Sequence, residues 1–152
     1  GKIAISASSS SKGDSNYNIN VKNLCDFNDL SKKSMWTPAN ENNSTLLFDF
    51  KDQIIQITDY TLHTPSDLSG YTPKSWVVEC SNDMDSWATV DTRNNEAVMN
   101  NQNVCHTFKC QYQSDNIYRY IRFKSTGTDS GNNYYFDISA VEFFGVLKES
   151  NQ

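Results

Sequence analysis

Apolar and polar residues alternate over short stretches along most of the chain, and polar turns separate these stretches. Residues 73–87, PKSWVVECSNDMDSW, show the pattern clearly, because Trp76, Val78 and Cys80 fall on one face of a predicted strand. A polar turn at 81–85 follows, and a second predicted strand begins at Trp87. The alternation predicts a β-hairpin, while two acids beside a serine and a cysteine raise the alternative of a catalytic or metal site.

Similar alternation marks several other predicted strands. They lie at residues 3–6, 46–50, 54–62, 87–91, 106–110, 118–124 and 134–147. The last of them changes phase between Ile138 and Val141, which predicts a β-bulge there. Residues 21–30 form a short irregular or helical segment, and no stretch is convincing as an amphipathic helix. Short strands between polar turns predict an all-β sandwich, and 152 residues suit a single domain over 1–152.

The charge balance of the chain narrows the range of partners. Acidic residues outnumber basic ones by 18 to 13, for a formal net charge of −5. Because a phosphate backbone or an anionic membrane is recognised by basic patches, nucleic acid is not predicted as a partner. No run of about 18 apolar residues could span a bilayer. The start at Gly1 shows no signal-peptide pattern, so we expect a domain cut from a longer protein or a processed form.

Two of the four cysteines fit the pattern of buried strand positions. Cys80 is in phase with Trp76 and Val78, and Cys110 is in phase with Phe108. Four cysteines would allow three disulfide pairings, but a chain of this length does not require bridges. We therefore expect reduced thiols that behave as small buried hydrophobes.

Motifs for metal or nucleophilic catalysis are missing from the sequence. His63 and His106 lie outside any HExxH pattern, and no CxxC, GxSxG or GxGxxG motif occurs. Cys105, His106 and Cys110 come closest to a zinc cluster. Strand alternation places Cys105 on the face opposite the other two, so one metal ion could not reach all three without a β-bulge.

Two pairs of carboxylates remain as candidates for acid–base chemistry. A glycosidase needs two carboxyls across a cleft, one of them in an apolar setting that raises its pKa. Asp83 and Asp85 lie instead in a turn, where aspartate satisfies nearby backbone groups. Acid–base catalysis by Asp26 and Asp29 is the least favoured of three hypotheses for the function, behind the two kinds of binding module described below. The sequence therefore predicts no enzyme activity.

Several stretches, taken in order, resemble a known family. They are Ile5 to Ser9, Ser34-Met35-Trp36, Leu46 to Phe50, SWVVECSNDMDSW, YRYIRFKSTG and the closing ISAVEFFG. In this order and spacing they make nearly the whole chain similar to the discoidin, or coagulation factor 5/8 type C, domain. The resemblance implies a galactose-binding-like jelly-roll β-sandwich. It also implies a non-catalytic module that binds glycans, lipid headgroups or proteins through loops at one end.

The resemblance extends to an intracellular subgroup found on BTB-type and ubiquitin-ligase-type proteins. The stretches PKSWVVECSND, VDTRNNEAV and STGTDSGNN carry this likeness. Secreted members of the family have a cysteine near each end, and this sequence has none near Ile3 or Gly145. The resemblance therefore implies an intracellular, cytoplasmic location, with a secreted one as the alternative.

Two kinds of ligand follow from the resemblance. The first hypothesis is recognition of a protein partner within a larger scaffold, and the alternative is a carbohydrate-binding module for galactose-type glycans. Glycan-binding members stack loop aromatics on the sugar and use Asn, His or Arg for its hydroxyls. The residues in the corresponding loops are Tyr17, Asn43, His63, Tyr71 and Tyr134. Trp36 and Trp76 match positions that the family buries. Membrane binding is not predicted, because the loop at 10–20 has only Tyr17 and Ile19 as sizeable apolar groups.

Many members of the family also hold a structural calcium ion beneath these loops. Their pattern combines Asp-Gly-Asp/Asn with Thr/Ser-x-Trp and a glutamate, and such oxygen ligands suit a hard cation. The residues in matching places are Asp26, Asp29, Ser34 and Glu142. Phe27 replaces the glycine that lets the loop turn tightly. A structural Ca²⁺ is the one cofactor that the resemblance suggests.

Overall fold

The computed structural model describes residues 3–11, 18–25, 34–66 and 71–150. Within these ranges the chain forms strands β1 to β10 and a short 3-10 helix, Val21–Cys25. The strands are β1 Ala4–Ala7, β2 Asn18–Ile19, β3 Ser34–Met35, β4 Thr45–Asp49, β5 Gln53–His63, β6 Trp76–Ser81, β7 Ala88–Arg93, β8 Cys105–Lys109, β9 Tyr120–Ser125 and β10 Ala140–Glu149. No helix in these ranges is long and apolar enough to cross a membrane.

Two antiparallel sheets build the molecule. One has five strands in the order β1-β4-β9-β6-β7, and the other has three in the order β10-β5-β8. Alternate residues of β4, β6 and β9 are buried, as expected for strands that face a core on one side. The predicted β-sandwich is therefore confirmed. A short parallel pair of β2 and β3 is an addition that the sequence did not predict.

Aromatic side chains join the inner faces of the two sheets. The Tyr60 ring on β5 lies edge-on to the Phe123 ring on β9, with ring centroids 5.3 Å apart. Phe48 on β4 meets Phe143 on β10 in the same way at 4.8 Å. Edge-to-face aromatic pairs stabilise by about 0.5–1.5 kcal/mol beyond the area they bury. These contacts place the core between the sheets.

The stretch 73–87 forms the predicted hairpin between β6 and β7. Its inward-facing residues are fully buried: Trp76, Val78 and Cys80. Oδ1 of Asp83 accepts hydrogen bonds from the backbone N–H groups of Asp85 (2.9 Å) and Ser86 (2.8 Å). The acids therefore close a turn, and this local role accounts for them without a catalytic or metal site.

The phase change near Ile138 has a different origin from the predicted bulge. Ile138 lies outside β10 and forms an isolated bridge with Trp36, a residue that is 1% exposed and thus in the core as predicted. Val141 belongs to the β10–β5 ladder. The two residues therefore change phase because they belong to different pairings. The register of β10 shifts instead at Gly145, opposite an extra residue of β5, Thr58.

Candidate ligand-binding loops

The connecting loops meet at one end of the sandwich, which we call the loop end. Because neighbouring strands run antiparallel, β1, β5, β7 and β9 end there, and β4, β6, β8 and β10 begin there. The described segments at this end are 8–11, 36–44, 64–66, 71–75, 94–104 and 126–139. Backbone hydrogen bonds tie them together, for example Glu96 N–H to the Lys74 carbonyl at 2.7 Å. The loop end is thus a surface of segments that are distant in sequence and are held together by hydrogen bonds.

Tyr134, a predicted ligand residue, is positioned by Asn40. The Asn40 carbonyl oxygen Oδ1 accepts a hydrogen bond from the backbone N–H of Tyr134 at 2.7 Å. The amide nitrogen of Asn40 donates to Oδ1 of Asn133 at 3.2 Å, in an exposed position. The sequence did not indicate a role for Asn40, because 94 residues separate it from Tyr134. An asparagine in a loop that is rich in asparagine also has no pattern that would mark it as a positioning residue.

Tyr71 and Tyr135 form an aromatic pair at the loop end. Their ring centroids are 5.4 Å apart with the planes at 87°, and 39% of the Tyr71 surface is exposed. The Tyr71 carbonyl accepts a hydrogen bond from the N–H of Asp137 at 3.0 Å, which anchors its segment to 126–139. The structure therefore brings two predicted residues, Tyr71 and Tyr134, to neighbouring segments, and it adds Tyr135 to them.

His63 has a structural role at the end of β5. The residue is only 8% exposed, and its ring Nδ1 lies 2.5 Å from the Ser139 hydroxyl. Because that hydroxyl donates its hydrogen to the His63 carbonyl, Nδ1–H must be the donor to the Ser139 oxygen. Burial lowers the pKa of the His63 ring, against a hydrogen bond with Asn103 that raises it. The neutral, buried imidazole of His63 therefore links the end of β5 to the segment before β10 by a hydrogen bond. The predicted role of His63 in ligand binding stays a prediction.

The two remaining ligand predictions lie in different situations. Asn43 is exposed in a turn of segment 36–44, with φ at 60°, and its N–H bonds the Asn42 side chain at 2.9 Å. It therefore lies at the loop end, on the same segment as Asn40. Tyr17 lies outside the described residues.

The predicted calcium ligands are only partly within the described ranges. Asp26 and Asp29 lie outside them, and Ser34 is described only by its backbone pairing with Asn18. Glu142 is exposed on β10 and lines the same cavity as Cys25, the residue directly before Asp26. The described ranges contain no group of three acidic, His or Cys side chains that could hold a metal. The calcium site therefore stays a prediction.

Removal of calcium provides a test of that prediction. If the site binds Ca²⁺, an ion present at about 100 times its Kd stabilises the fold by about 2.7 kcal/mol. EDTA is then expected to lower the melting temperature of the Ca²⁺-loaded protein by about 5–10 °C. Glu142→Gln should lose this sensitivity, whereas Glu149→Gln, an exposed control on the same strand, should keep it. A melting temperature indifferent to EDTA in the parent protein would remove the site as a stabilising element.

The two buried cysteines show no nucleophilic character. All four are free, with Cys80 and Cys110 buried as their strand phase predicted. Burial raises the pKa of the Cys110 thiol to about 12 and also raises that of Cys80. Since the thiolate is the nucleophile, these two thiols are inert near neutral pH.

Comparison with protein families identifies the chain. The model of the family described as "F5/8 type C domain" matches residues 4–138. Domains of this family are non-catalytic binding modules, so the prediction of no enzyme activity is confirmed. The comparisons give no support to the finer assignment to an intracellular subgroup. A search of curated proteins finds no match.

Solved structures with the same fold include carbohydrate-binding modules. CpGH89CBM32-5 from Clostridium perfringens, in complex with GalNAc-β-1,3-galactose, has a TM-score of 0.73 and 12% identity, covering 94% of this chain and 95% of that one. The family 32 module of C. perfringens NanJ, in complex with galactose, has a TM-score of 0.69 and 11% identity over 96% and 93%. The lectin domain of lectinolysin, complexed with Lewis B antigen, has a TM-score of 0.69 and 14% identity over 94% and 92%. At these identities the likeness shows the fold. The family match over residues 4–138 establishes that the chain belongs to the F5/8 type C domain family.

Proposed function

We propose that the chain is a carbohydrate-binding module that recognises neutral, galactose-type glycans at its loop end. The observation that carries the proposal is the aromatic pair of the exposed Tyr71 and the half-buried Tyr135, next to the hydrogen-bonded amides of Asn40 and Asn133. Sugar sites combine an apolar wall with a few placed polar groups, and these side chains offer both. The three structural neighbours are complexes with galactose, GalNAc-β-1,3-galactose and Lewis B antigen, which supports this class of ligand.

The charge of the loop end favours a neutral sugar. Arg93 is committed to an ion pair with the buried Asp91 at 3.0 Å, and Glu96 lies 3.9 Å from the same guanidinium. Exposed Glu41 adds negative charge on segment 36–44. Anionic sugars need a cationic partner, and the described segments of the loop end show no cluster of Lys and Arg. The protein-partner interpretation and the intracellular location stay predictions.

Alanine variants of the loop tyrosines test the proposal on an array of neutral glycans. Tyr71→Ala and Tyr134→Ala are each expected to weaken binding at least about tenfold, because loss of one stacking ring removes more than about 1.4 kcal/mol. Tyr112→Ala is the matched control, because Tyr112 is 58% exposed and lies between β8 and β9 at the opposite end.

Two results would contradict the proposal. One is an array on which the parent protein binds no neutral glycan. The other is a glycan signal that Tyr112→Ala reduces as much as the two loop variants do. Retention of a sialylated glycan in preference to its neutral form would contradict the charge argument alone.

A further inference from the structure

Strand β10 is an edge strand of the three-stranded sheet, and its second half is uncovered. It pairs with β5 on one side, and within the described ranges no strand pairs with its other side. Every residue from Phe144 to Glu149 is exposed. Three of them are large and apolar: Phe144 (40%), Val146 (49%) and Leu147 (49%). An exposed edge strand offers unpaired backbone groups to another chain, so β10 is a candidate for pairing between chains.

The free backbone groups of β10 belong to its odd-numbered residues. The N–H of Ser150, directly after β10, donates to the Asp52 carbonyl of the turn before β5 at 2.8 Å. Bonded positions alternate in an antiparallel pair, so even-numbered residues bond to β5, whereas Leu147 and Glu149 turn their N–H and C=O groups to the free edge. The register shift adds its extra residue to β5, so the alternation along β10 itself is unbroken. Phe143 and Leu147 accordingly line the same cavity, although the shift lies between them.

The even-numbered side chains of β10 lie on the outer face of the sheet, and their order is complementary to itself. Along the strand they are Glu142, Phe144, Val146 and Lys148, all of them exposed. If a second β10 runs antiparallel with Gly145 opposite Gly145, Glu142 lies opposite Lys148 of the second copy, and Phe144 lies opposite its Val146. A two-fold axis produces each contact twice, so two pairs of opposite charge flank four apolar side chains.

Neighbouring registers lose this match. A slide by one residue places backbone groups that face the free edge opposite groups that already bond to β5. A slide by two residues places either Glu142 opposite Val146 or Lys148 opposite Phe144, so a charge lies against an apolar side chain. Neither Glu142 nor Lys148 belongs to an ion pair among the described residues, so both are free to pair with a second copy.

We propose that two copies of this chain associate through their β10 edges into a two-fold dimer with one continuous six-stranded sheet. The occupant of the free edge is thus β10 of a second copy, in the register that the two Glu142–Lys148 pairs specify. Because β10 begins at the loop end and the two strands run antiparallel, the loop ends of the dimer point in opposite directions. Such a dimer bridges two separate glycans; this consequence rests on the proposed function, whereas the pairing itself does not.

Sedimentation equilibrium of the parent protein at low ionic strength measures the association. The apparent mass is expected to rise with concentration from 17.3 kDa towards twice that value. One strand pair is a small interface, so we expect a Kd between about 10 µM and 1 mM. The buffer contains EDTA, because Glu142 is also a predicted calcium ligand and its carboxylate must be free to pair with Lys148.

Exchange of the two charges tests the register. Glu142→Lys and Lys148→Glu each place like charges opposite one another twice, and each should weaken the dimer at least about tenfold. The double variant restores opposite charges and should return the Kd to within about threefold of the parent value. Within one chain the two residues are six positions apart, about 20 Å along a strand, so this rescue reports a contact between copies. Glu149→Lys makes the same change of net charge on the same strand and is the matched control, which should leave the Kd unchanged.

Three results would overturn the proposal. The first is a parent protein that keeps the monomer mass at about 1 mM. The second is a double variant that associates as weakly as the two single variants. The third is a Glu149→Lys variant that weakens the dimer as much as Glu142→Lys, since net charge and not the register would then govern association. Sedimentation involves no sugar, so a failed glycan array leaves the dimer intact, and a monomeric parent leaves the glycan proposal intact.

Discussion

Asp91→Ala is expected to lower the free energy of unfolding by about 3–5 kcal/mol, the usual cost of removing one member of a buried ion pair. Asp91 is completely buried, and its carboxylate accepts from the Tyr60 hydroxyl at 2.5 Å and from Nε of Arg93 at 3.0 Å. The backbone N–H of Gln111 donates to the same carboxylate at 3.2 Å. The Tyr60 hydroxyl in turn accepts from Nε1 of Trp76 at 2.9 Å. Loss of the carboxylate removes the acceptor of four donors: the Tyr60 hydroxyl, the Gln111 N–H, and Nε and Nη2 of Arg93. It also leaves the Arg93 guanidinium with only the longer ion pair to Glu96, at 3.9 Å.

Urea unfolding at pH 7 measures the loss of unfolding free energy in Asp91→Ala. Two further variants separate the contribution of the Tyr60 hydrogen bond from that of the ion pair and provide a surface control. Burial and then the neighbouring Asp91 raise the pKa of Tyr60, so its hydroxyl stays a donor. Tyr60→Phe removes that donor but leaves the ion pair, and should cost about 1–2 kcal/mol. Asp115→Ala, at an exposed position, should change stability by less than about 0.5 kcal/mol. A loss below about 1 kcal/mol for Asp91→Ala would show that the network does not stabilise the sandwich.

Gly145→Ala is expected to destabilise the fold by about 4 kcal/mol or more, at the upper end for a single substitution. Gly145 has φ at +153°, which a residue with a side chain rarely adopts, and an added Cβ would lie 2.0 Å from the carbonyl oxygen of Gln56. That oxygen belongs to the backbone of the neighbouring strand β5, so relief would require the strands to separate at the register shift.

Gly127→Ala is the matched control for this prediction. An added Cβ at Gly127 would meet the Cβ of Ser75 at 3.2 Å, a contact that a small shift relieves, so the cost should stay near 1 kcal/mol or below. Thermal unfolding followed by circular dichroism compares the two variants. Equal melting temperatures for both would mean that β10 tolerates a side chain at its register shift.

Local pattern was sufficient wherever the structure depends on neighbouring residues. The alternation in residues 73–87 predicted which side chains of β6 are buried, since a strand turns successive residues to opposite faces. The role of Asp83 was predictable for the same reason, because its partners are two and three residues away. The family could also be recognised from short sequence motifs that occur in the expected order. The match of the family model confirms that assignment.

Periodicity was insufficient where one strand has an extra residue. The phase change near Ile138 predicted a bulge in β10, but that residue bridges Trp36 in another segment. The register shift lies instead between Phe144 and Gly145, where β5 has Thr58 as an extra residue. The alternation within one strand shows which of its own residues are buried. It does not show that the neighbouring strand contains an extra residue.

The sequence by itself determined most of the longer strands, the alternating buried residues of β6, the turn acids and the family of this protein. Tertiary structure decided which polar groups meet: Asn40 with Tyr134, Asp91 with Tyr60, and the burial of Asp129 and Asp137 in one segment. The physical reason is range. Burial and turn chemistry repeat every few residues along the backbone, whereas contacts between loops depend on the order and register of all the strands, which the packing of the whole core sets.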